Sequence, residues 1–200
     1  MNEHITAMKD TIADFYSRMK AYNDKRQENN RVYLQMIAAE ENEKLRKEAL
    51  NVYENAKAAL NASVDAGIAS SKAWGELNGA EVDDADMKLL QGGFSLTTDD
   101  LDGLIARHIK NGTMVRAVED YADAHGIPLS WRPEVKSKVE AWEALRGSGL
   151  SLLASLFNAC TADSADYSTR SAGGPMMDIA VQEWGIRFSS ETVLSGILDE

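Results

Sequence analysis

Three histidines and one cysteine are the side chains in this 200-residue sequence that could act most readily as metal ligands or reactive groups. His4, His108 and His125 are scattered, without the paired spacing that a helical zinc site requires. Cys160 follows apolar residues and has no neighbouring histidine, lysine or arginine that would lower its pKa. We therefore expect structural histidines and a reduced, buried thiol, and we assign no catalytic residue.

Acidic side chains are concentrated between residues 81 and 123. A calcium loop starting at Thr98 would need a bidentate glutamate at its twelfth position, where Ile109 stands. Aspartates at helix starts are explained by capping and by the helix dipole, so we predict neither a metal site nor a cofactor. The candidate acidic partner surface comprises Asp83, Asp84, Asp86, Asp99, Asp100, Asp102, Glu119, Asp120 and Asp123.

Motifs that bind nucleotides or activate a serine do not occur in the sequence. The tripeptide Gly147-Ser148-Gly149 lacks the later glycine of a dinucleotide fingerprint, and there is no Walker or Gly-x-Ser-x-Gly motif. The sequence therefore predicts a protein that is not an enzyme. An enzyme that uses scattered Asp, Glu and His residues is a less favoured hypothesis.

The net charge of −11 is carried mostly by the second part of the chain. Residues 1–80 contain 11 basic and 12 acidic side chains, whereas residues 81–200 contain 10 basic and 20 acidic ones. An acidic surface repels nucleic-acid phosphates and anionic lipids, so we expect neither nucleic-acid nor membrane binding. It favours a basic protein partner.

The elements that must position these residues are helices. Residues 1–78 contain no proline and only two glycines, and their apolar residues recur at the heptad spacing of helices that pack along their length. This pattern predicts a coiled-coil-like segment or helical hairpin, and a homo-oligomer. The predicted packing and oligomerisation seam consists of Ile5, Met8, Ile12, Phe15, Met19, Tyr22, Tyr33 and Met36, followed in a second phase by Leu45, Ala49, Val52, Ala56, Ala59, Ala66, Ala73 and Leu77.

The continuity of the seam predicts where the long segment can fold. Because the spacing continues through residues 26–29, we expect helix there, with a polar seam residue that fixes register. A loop at Asn29-Asn30 is the alternative. The phase changes over residues 40–44, which favours a bend or fold there, and Asn78-Gly79 is a suitable C-terminal cap.

Beyond residue 78 the sequence predicts an acidic helical domain, residues 79–200. Thr97 or Thr98 can cap one helix, and Gly126 can end the next. Later helices are predicted to start at Pro175 and, with Ser189 or Ser190 as its cap, near residue 190, and the apolar run 150–160 is too short to span a bilayer. The fold class is all-α, with a long helical segment over residues 1–78 and a compact domain of short helices.

A likeness to known proteins is carried by AWGELNGAEVDDADMKLLQGGFSLTTDDLDGLIARHIKNGTMVRAVEDYADAHGI and by the later GGPMMDIAVQEWG. These stretches resemble small acidic helical proteins of unassigned role from the structural-gene modules of tailed bacteriophages and prophages. The resemblance implies a protein used in building the head or tail, located in the bacterial cytoplasm or in the virion.

The two patterns together predict a non-enzymatic structural or assembly protein. It self-associates through its N-terminal helices and presents the acidic domain to a protein partner. The alternative is an inhibitor that imitates nucleic acid, whose acidic surface occupies the basic groove of a nuclease or another DNA-binding protein.

Overall fold

A computed structural model describes residues 3–161 of the chain. These residues form α-helices and one short 3₁₀ turn, Gly79–Glu81, and no strand, which confirms the all-α prediction. The helices predicted from Pro175 and Ser189 lie outside the described residues. The α-helices are α1 (Glu3–Val32), α2 (Gln35–Trp74), α3 (Asp84–Gln91), α4 (Thr98–Arg107), α5 (Gly112–His125) and α6 (Val135–Thr161).

Contacts group the described residues into two units. The long-helix unit contains residues 3–66 and 143–161, and the short-helix unit contains residues 67–142. Helices α2 and α6 each contribute to both units, which differs from the predicted boundary at residue 78. The return of α6 is a long-range contact that local sequence patterns do not encode. Within residues 3–161, no helix is both long and apolar enough to cross a membrane.

Three helices pack together in the long-helix unit. The Phe15 ring of α1 lies 6.0 Å from the Tyr53 ring of α2, which stacks at 4.7 Å on Phe157 of α6. Asn29 of α1 contacts Asn42 of α2, so these two helices run antiparallel. The unit therefore contains the helical hairpin that was one of the two predicted forms.

The turn of the hairpin lies between the two places that the sequence suggested. Helix α1 continues through residues 26–29 as expected, so the alternative loop at Asn29-Asn30 does not form. However, α1 ends at Val32 and α2 begins at Gln35, so the chain folds at Tyr33-Leu34 and not over residues 40–44. The prediction missed this turn because Tyr33 and Leu34 are not turn-forming residues and the apolar spacing continues across them.

Most of the first predicted seam is buried inside the chain itself. Tyr33 and Met36 are exceptions and are exposed, because they lie at the turn and just after it. The remaining positions form the buried face of α1, namely Ile5, Met8, Ile12, Phe15, Met19 and Tyr22.

The buried stripe of α2 follows a longer repeat than the predicted heptad. Ala38, Ala49, Leu60 and Ser71 are buried and recur every 11 residues. Such a repeat corresponds to about 3.67 residues per turn, whereas a heptad corresponds to 3.5 and drifts by about 20° per repeat on a straight helix.

The second predicted seam therefore leaves the buried face partway along α2. Ala49 and Ala56 are buried, and Leu45 and Val52 are half-buried. The later positions on α2 are exposed because the drift accumulates: they are Ala59, Ala66 and Ala73. Leu77, the last predicted position, is exposed beyond the end of α2.

The short-helix unit is defined by side-chain caps. Asp83 caps α3 by accepting from the backbone N–H groups of residues 85 and 86, and Asn111 caps α5. Thr97 caps α4 in a capping box with Asp100, which resolves the choice between Thr97 and Thr98. Gly126, at φ 67°, ends α5 as predicted.

The end of α2 is held within this unit by Trp74, not by the predicted Asn78-Gly79 pair. The Trp74 indole N–H donates to Ile109 O at 2.8 Å, and the Lys138 ammonium lies 3.7 Å from the Trp74 ring centroid. A Cβ on Gly112 would lie 1.8 Å from Trp74 O, so only glycine fits there.

A hydrophobic core of the short-helix unit is formed by buried side chains of α3, α4 and α5, namely Leu90, Leu101, Leu104, Ile105, Val115, Val118 and Ala122.

Candidate functional site

The turn between α1 and α2 is tight and has no side-chain cap. The Tyr33 N–H donates to Asn29 O at 3.0 Å, and the Ala38 N–H donates to Leu34 O at 2.9 Å. Leu34 therefore stands at the N-cap position of α2, where serine, threonine, aspartate or asparagine is favoured. Its side chain offers no oxygen to the unpaired N–H groups of the first turn of α2.

Three asparagines fix the register of the hairpin beside this turn. The Asn29 side-chain amide donates to Asn42 Oδ1 at 3.1 Å, and the Asn42 amide donates to Asn30 Oδ1 at 2.8 Å. Asn29 is only 3% exposed, so its amide must be paired when the hairpin forms. Asn29 is a polar residue of the predicted seam, and its side chain pairs between α1 and α2 of one chain.

The turn exposes a group of large apolar side chains, which we call the apolar corner: Val32, Tyr33, Leu34, Met36 and Ile37. Leu34 and Met36 are 79% and 77% exposed. Five of the ten exposed large apolar side chains in the described part of the chain fall within the six positions 32–37. Scattered apolar residues are normal on a surface, whereas a contiguous group marks an interaction site.

A groove of about 1090 Å³ adjoins the apolar corner within the long-helix unit, with Tyr33 in its wall. Its charged lining is balanced, with three arginines and three acidic residues. The Arg26 guanidinium also donates to the main-chain oxygen of Cys160 at 2.9 Å, which satisfies a carbonyl near the end of α6. The charged residues that line the groove are Arg26, Arg31, Arg46, Asp24, Glu28 and Glu43.

A second cluster of chemically capable side chains lies in the short-helix unit around Asp86. Arg107 Nη1 donates to both oxygens of this buried carboxylate at 2.9 and 2.8 Å, and His108 Nε2 lies 2.6 Å from Asp86 Oδ2. The His108 hydrogen bond and the Arg107 guanidinium hold the pKa of Asp86 below its usual value, against the opposing effect of burial. The cluster joins the start of α3 to the end of α4.

The same cluster contains a geometric set of metal ligands. One ligand atom from each of Asp83, Asp86 and His108 lies within 4.8 Å of the others. However, Asp86 already accepts from Arg107 and His108, and Asp83 Oδ1 accepts two backbone N–H bonds at the start of α3. A cation would have to displace the His108 contact beside a fixed guanidinium, so the geometry is better explained as an ion cluster that stabilises the unit.

The predicted acidic partner surface is only partly available to a partner. Asp86 is buried in the ion cluster, and Asp83 and Asp100 are used as helix caps. Asp123 pairs with Arg132, and burial raises the pKa of the half-buried Glu119 carboxyl. The remaining carboxylates are Asp84, Asp99 and Asp120, which are exposed, and Asp102, whose Oδ1 accepts from the Ser130 N–H.

The predictions for the histidines and the cysteine can be compared with their surroundings. His125 lies at the end of α5, as expected, with Nδ1 2.9 Å from Tyr121 O. His108 follows the last residue of α4 and contacts Asp86, a contact that we did not predict. Cys160 is buried as predicted, and desolvation raises the pKa of its thiol to about 11.

Sequence reasoning missed the two arrangements described above. For the ion cluster, no local signal pairs Asp86 with residues 107 and 108, because the contact joins different helices. The apolar corner had a signal that we used differently: Tyr33 and Met36 were assigned to the packing seam, whereas the run from Val32 to Ile37 could have been recognised as too apolar for a solvent-facing segment.

Comparison of the chain with known proteins found no similar protein. No protein-family model matches the chain, and no curated protein and no solved structure matches it. The resemblance to phage structural-module proteins therefore stays a prediction.

Proposed function

We propose that the protein is a non-enzymatic structural or assembly protein that binds another protein chain through the apolar corner. The observation that carries this proposal is the composition of the turn. Five large apolar side chains are exposed where a helix N-cap and a turn would ordinarily contain small or polar residues. A local rule broken without a compensating gain in the fold is typical of a functional position.

The burial of α1 also supports this choice of surface. The first seam packs against the rest of its own chain, so its side chains are not available to another chain without unfolding. Of the positions of this first seam, Tyr33 and Met36 are the exposed ones, and both belong to the apolar corner.

The non-enzymatic part of the proposal rests on how the reactive groups are engaged. The Cys160 thiol is buried with a raised pKa, which disfavours the nucleophilic thiolate. The His108 ring contacts a carboxylate that is also held by an arginine, which suits a structural ion cluster.

The alternative function, imitation of nucleic acid by the acidic surface, is less well supported. A mimic needs a continuous array of free carboxylates, whereas this surface uses several as caps or ion pairs. The two functions respond differently to salt. Binding through carboxylates weakens steeply as ionic strength rises, whereas binding through the apolar corner does not.

Photo-crosslinking tests the proposed function directly. A photoreactive phenylalanine analogue replaces Met36 in the apolar corner, and in a control chain it replaces Leu50, an exposed apolar residue elsewhere on α2. Irradiation in the native host should give adducts with a protein chain from position 36 and markedly fewer from position 50. Equal yields from the two positions, or no adduct from position 36, would contradict the proposal.

A role in phage assembly, which the sequence resemblance implies, is tested by the identity of that adduct. Recovery of a head or tail protein from position 36 would support the assembly role. Recovery of a nuclease whose binding is abolished by high salt would support the inhibitory alternative instead.

A further inference from the structure

The surroundings of the apolar corner point to the chain that covers it. We propose that the apolar corner binds the same corner of a second copy of this chain, in a dimer with two-fold symmetry. This inference rests on the proposed function and specifies its partner. The most exposed side chains, Leu34 and Met36, lie nearest the symmetry axis.

Charge balance around the corner is the first argument for a second copy. Residues 24–48 contain six basic and six acidic side chains, although the whole chain has a net charge of −11. A surface that selects a basic partner would be expected to be acidic, and this one is neutral. Two copies that meet through these residues therefore bring together no excess of like charge from residues 24–48 themselves.

Both signs of charge are also present close to the apolar side chains. Arg31 is exposed next to Val32, and Glu40 is exposed one turn beyond Met36. In a two-fold interface each patch must be complementary to itself, so a surface that carries both signs satisfies this condition. Across the axis, an arginine of one copy can face a glutamate of the other on both sides of the apolar centre.

The type of side chain in the corner fits a protein interface better than a small-molecule site. Tyrosine and methionine are enriched at interfaces, and a central apolar cluster with a charged rim is their usual arrangement. The corner lies at the turn of a helical hairpin, and its charged rim includes Arg31, which also lines the adjoining groove. A second copy places an equally apolar surface against it.

Sedimentation velocity over a dilution series of the full chain tests the dimer. We expect a dimer at high micromolar concentration that dissociates on dilution. Leu34→Asp should weaken dimerisation at least tenfold, because it would bury a carboxylate near the axis next to its symmetry mate. Leu50→Asp is the matched control, since Leu50 is also exposed on the long-helix unit, and it should leave the dimer unchanged.

Disulfide trapping provides a second measurement that does not depend on affinity. Met36→Cys chains, oxidised with a copper–phenanthroline catalyst and dissolved oxygen, should form linked dimers with loss of two thiol protons. Ala13→Cys, which is exposed on α1, should form few. The native Cys160 does not compete, because it is buried.

Several outcomes would overturn the inference. One is a wild-type chain that stays monomeric at about 100 µM, and another is a dimer that Leu34→Asp does not affect. A third is a position-36 crosslink that joins two parts of one chain, so that the product has the mass of a single chain. A monomer that crosslinks to a different protein at position 36 would reject the second copy while supporting the proposed function. A monomer with no position-36 adduct would reject both.

Discussion

In the short-helix unit the starts of α3, α4 and α5 each have a side-chain cap, whereas in the long-helix unit the N-cap position of α2 is occupied by a leucine. The short helices are defined locally and close onto one another through a compact core. The long helices obtain their stability from extended apolar stripes, as expected when packing outweighs propensity.

This difference in capping shows how strongly each unit depends on favourable residues at its helix starts. A helix of 8 or 10 residues, such as α3 or α4, depends strongly on its cap. The 40-residue α2 can begin without one because its stripe contributes far more than a cap of about 1 kcal/mol. The exposed, uncapped turn therefore lies in the unit whose packing can offset the loss of stability from the missing cap.

The close contact at Gly112 provides the largest expected effect. Gly112→Ala would place a Cβ against the main-chain oxygen of Trp74, which cannot move without shifting the end of α2. We expect a loss of about 3 kcal/mol in the free energy of unfolding, measured by urea denaturation. Gly103→Ala on α4, with open space around it, is the matched control and should stabilise by up to about 1 kcal/mol. Equal effects would show that the contact is not tight.

The period of the buried stripe on α2 provides the next largest effect. Ala49→Leu places a large side chain into a closely packed position and should cost about 2 kcal/mol of stability. Ala59→Leu, at an exposed position of the predicted heptad seam, should change stability by less than about 0.5 kcal/mol. A cost for Ala59→Leu as large as that for Ala49→Leu in thermal unfolding would restore the heptad in place of the 11-residue repeat, because the heptad places both residues in the seam.

The ends of the helices show how much of the architecture the sequence could predict. A cap at Thr97 or Thr98 and the C-terminal glycine at 126 were predicted, because the responsible residues lie next to the helix ends, and the structure shows the cap to be Thr97. Trp74 as the end of α2 was not, because it is anchored by Ile109 and Gly112, more than 30 residues away.

For the candidate site, the sequence identified some residues but not their surroundings. Tyr33 and Met36 were predicted to contact another helix, and the structure instead exposes them at a turn. Periodicity alone cannot distinguish an apolar residue that packs within the chain from one that is retained for another chain. The Asp86 cluster was hidden for a different reason, because its carboxylate was indistinguishable by type from the neighbouring caps.

The ion cluster of the short-helix unit should give a smaller, pH-dependent effect. Asp86→Ala removes the acceptor of Arg107 and His108 and should cost about 1.5 kcal/mol at neutral pH, discounted for the exposure of Arg107. Because the pKa of Asp86 is lowered by folding, its contribution is complete above about pH 4 and is lost as the pH falls through the lowered pKa. Urea denaturation at a series of pH values measures this difference.

Asp84→Ala is the control for the ion cluster, because Asp84 is exposed in the same helix turn. It should cost less than about 1 kcal/mol, which is the range of a favourable interaction with the helix dipole. A cost for Asp86→Ala that stays constant from pH 7 to pH 2 would mean that the carboxylate charge does not contribute to stability.

The smallest effect has the opposite sign and belongs to the turn of the long-helix unit. Leu34→Asp supplies the missing cap of α2 and should raise the stability of the monomer by about 1 kcal/mol, measured by dilute urea denaturation. Since the same change should weaken dimerisation at least tenfold, a chain that is more stable but associates less would show that Leu34 is retained for binding and not for folding. A loss of stability in the dilute monomer would instead mean that Leu34 contributes to the fold of the hairpin, and the contrast between the two units would then disappear at this turn.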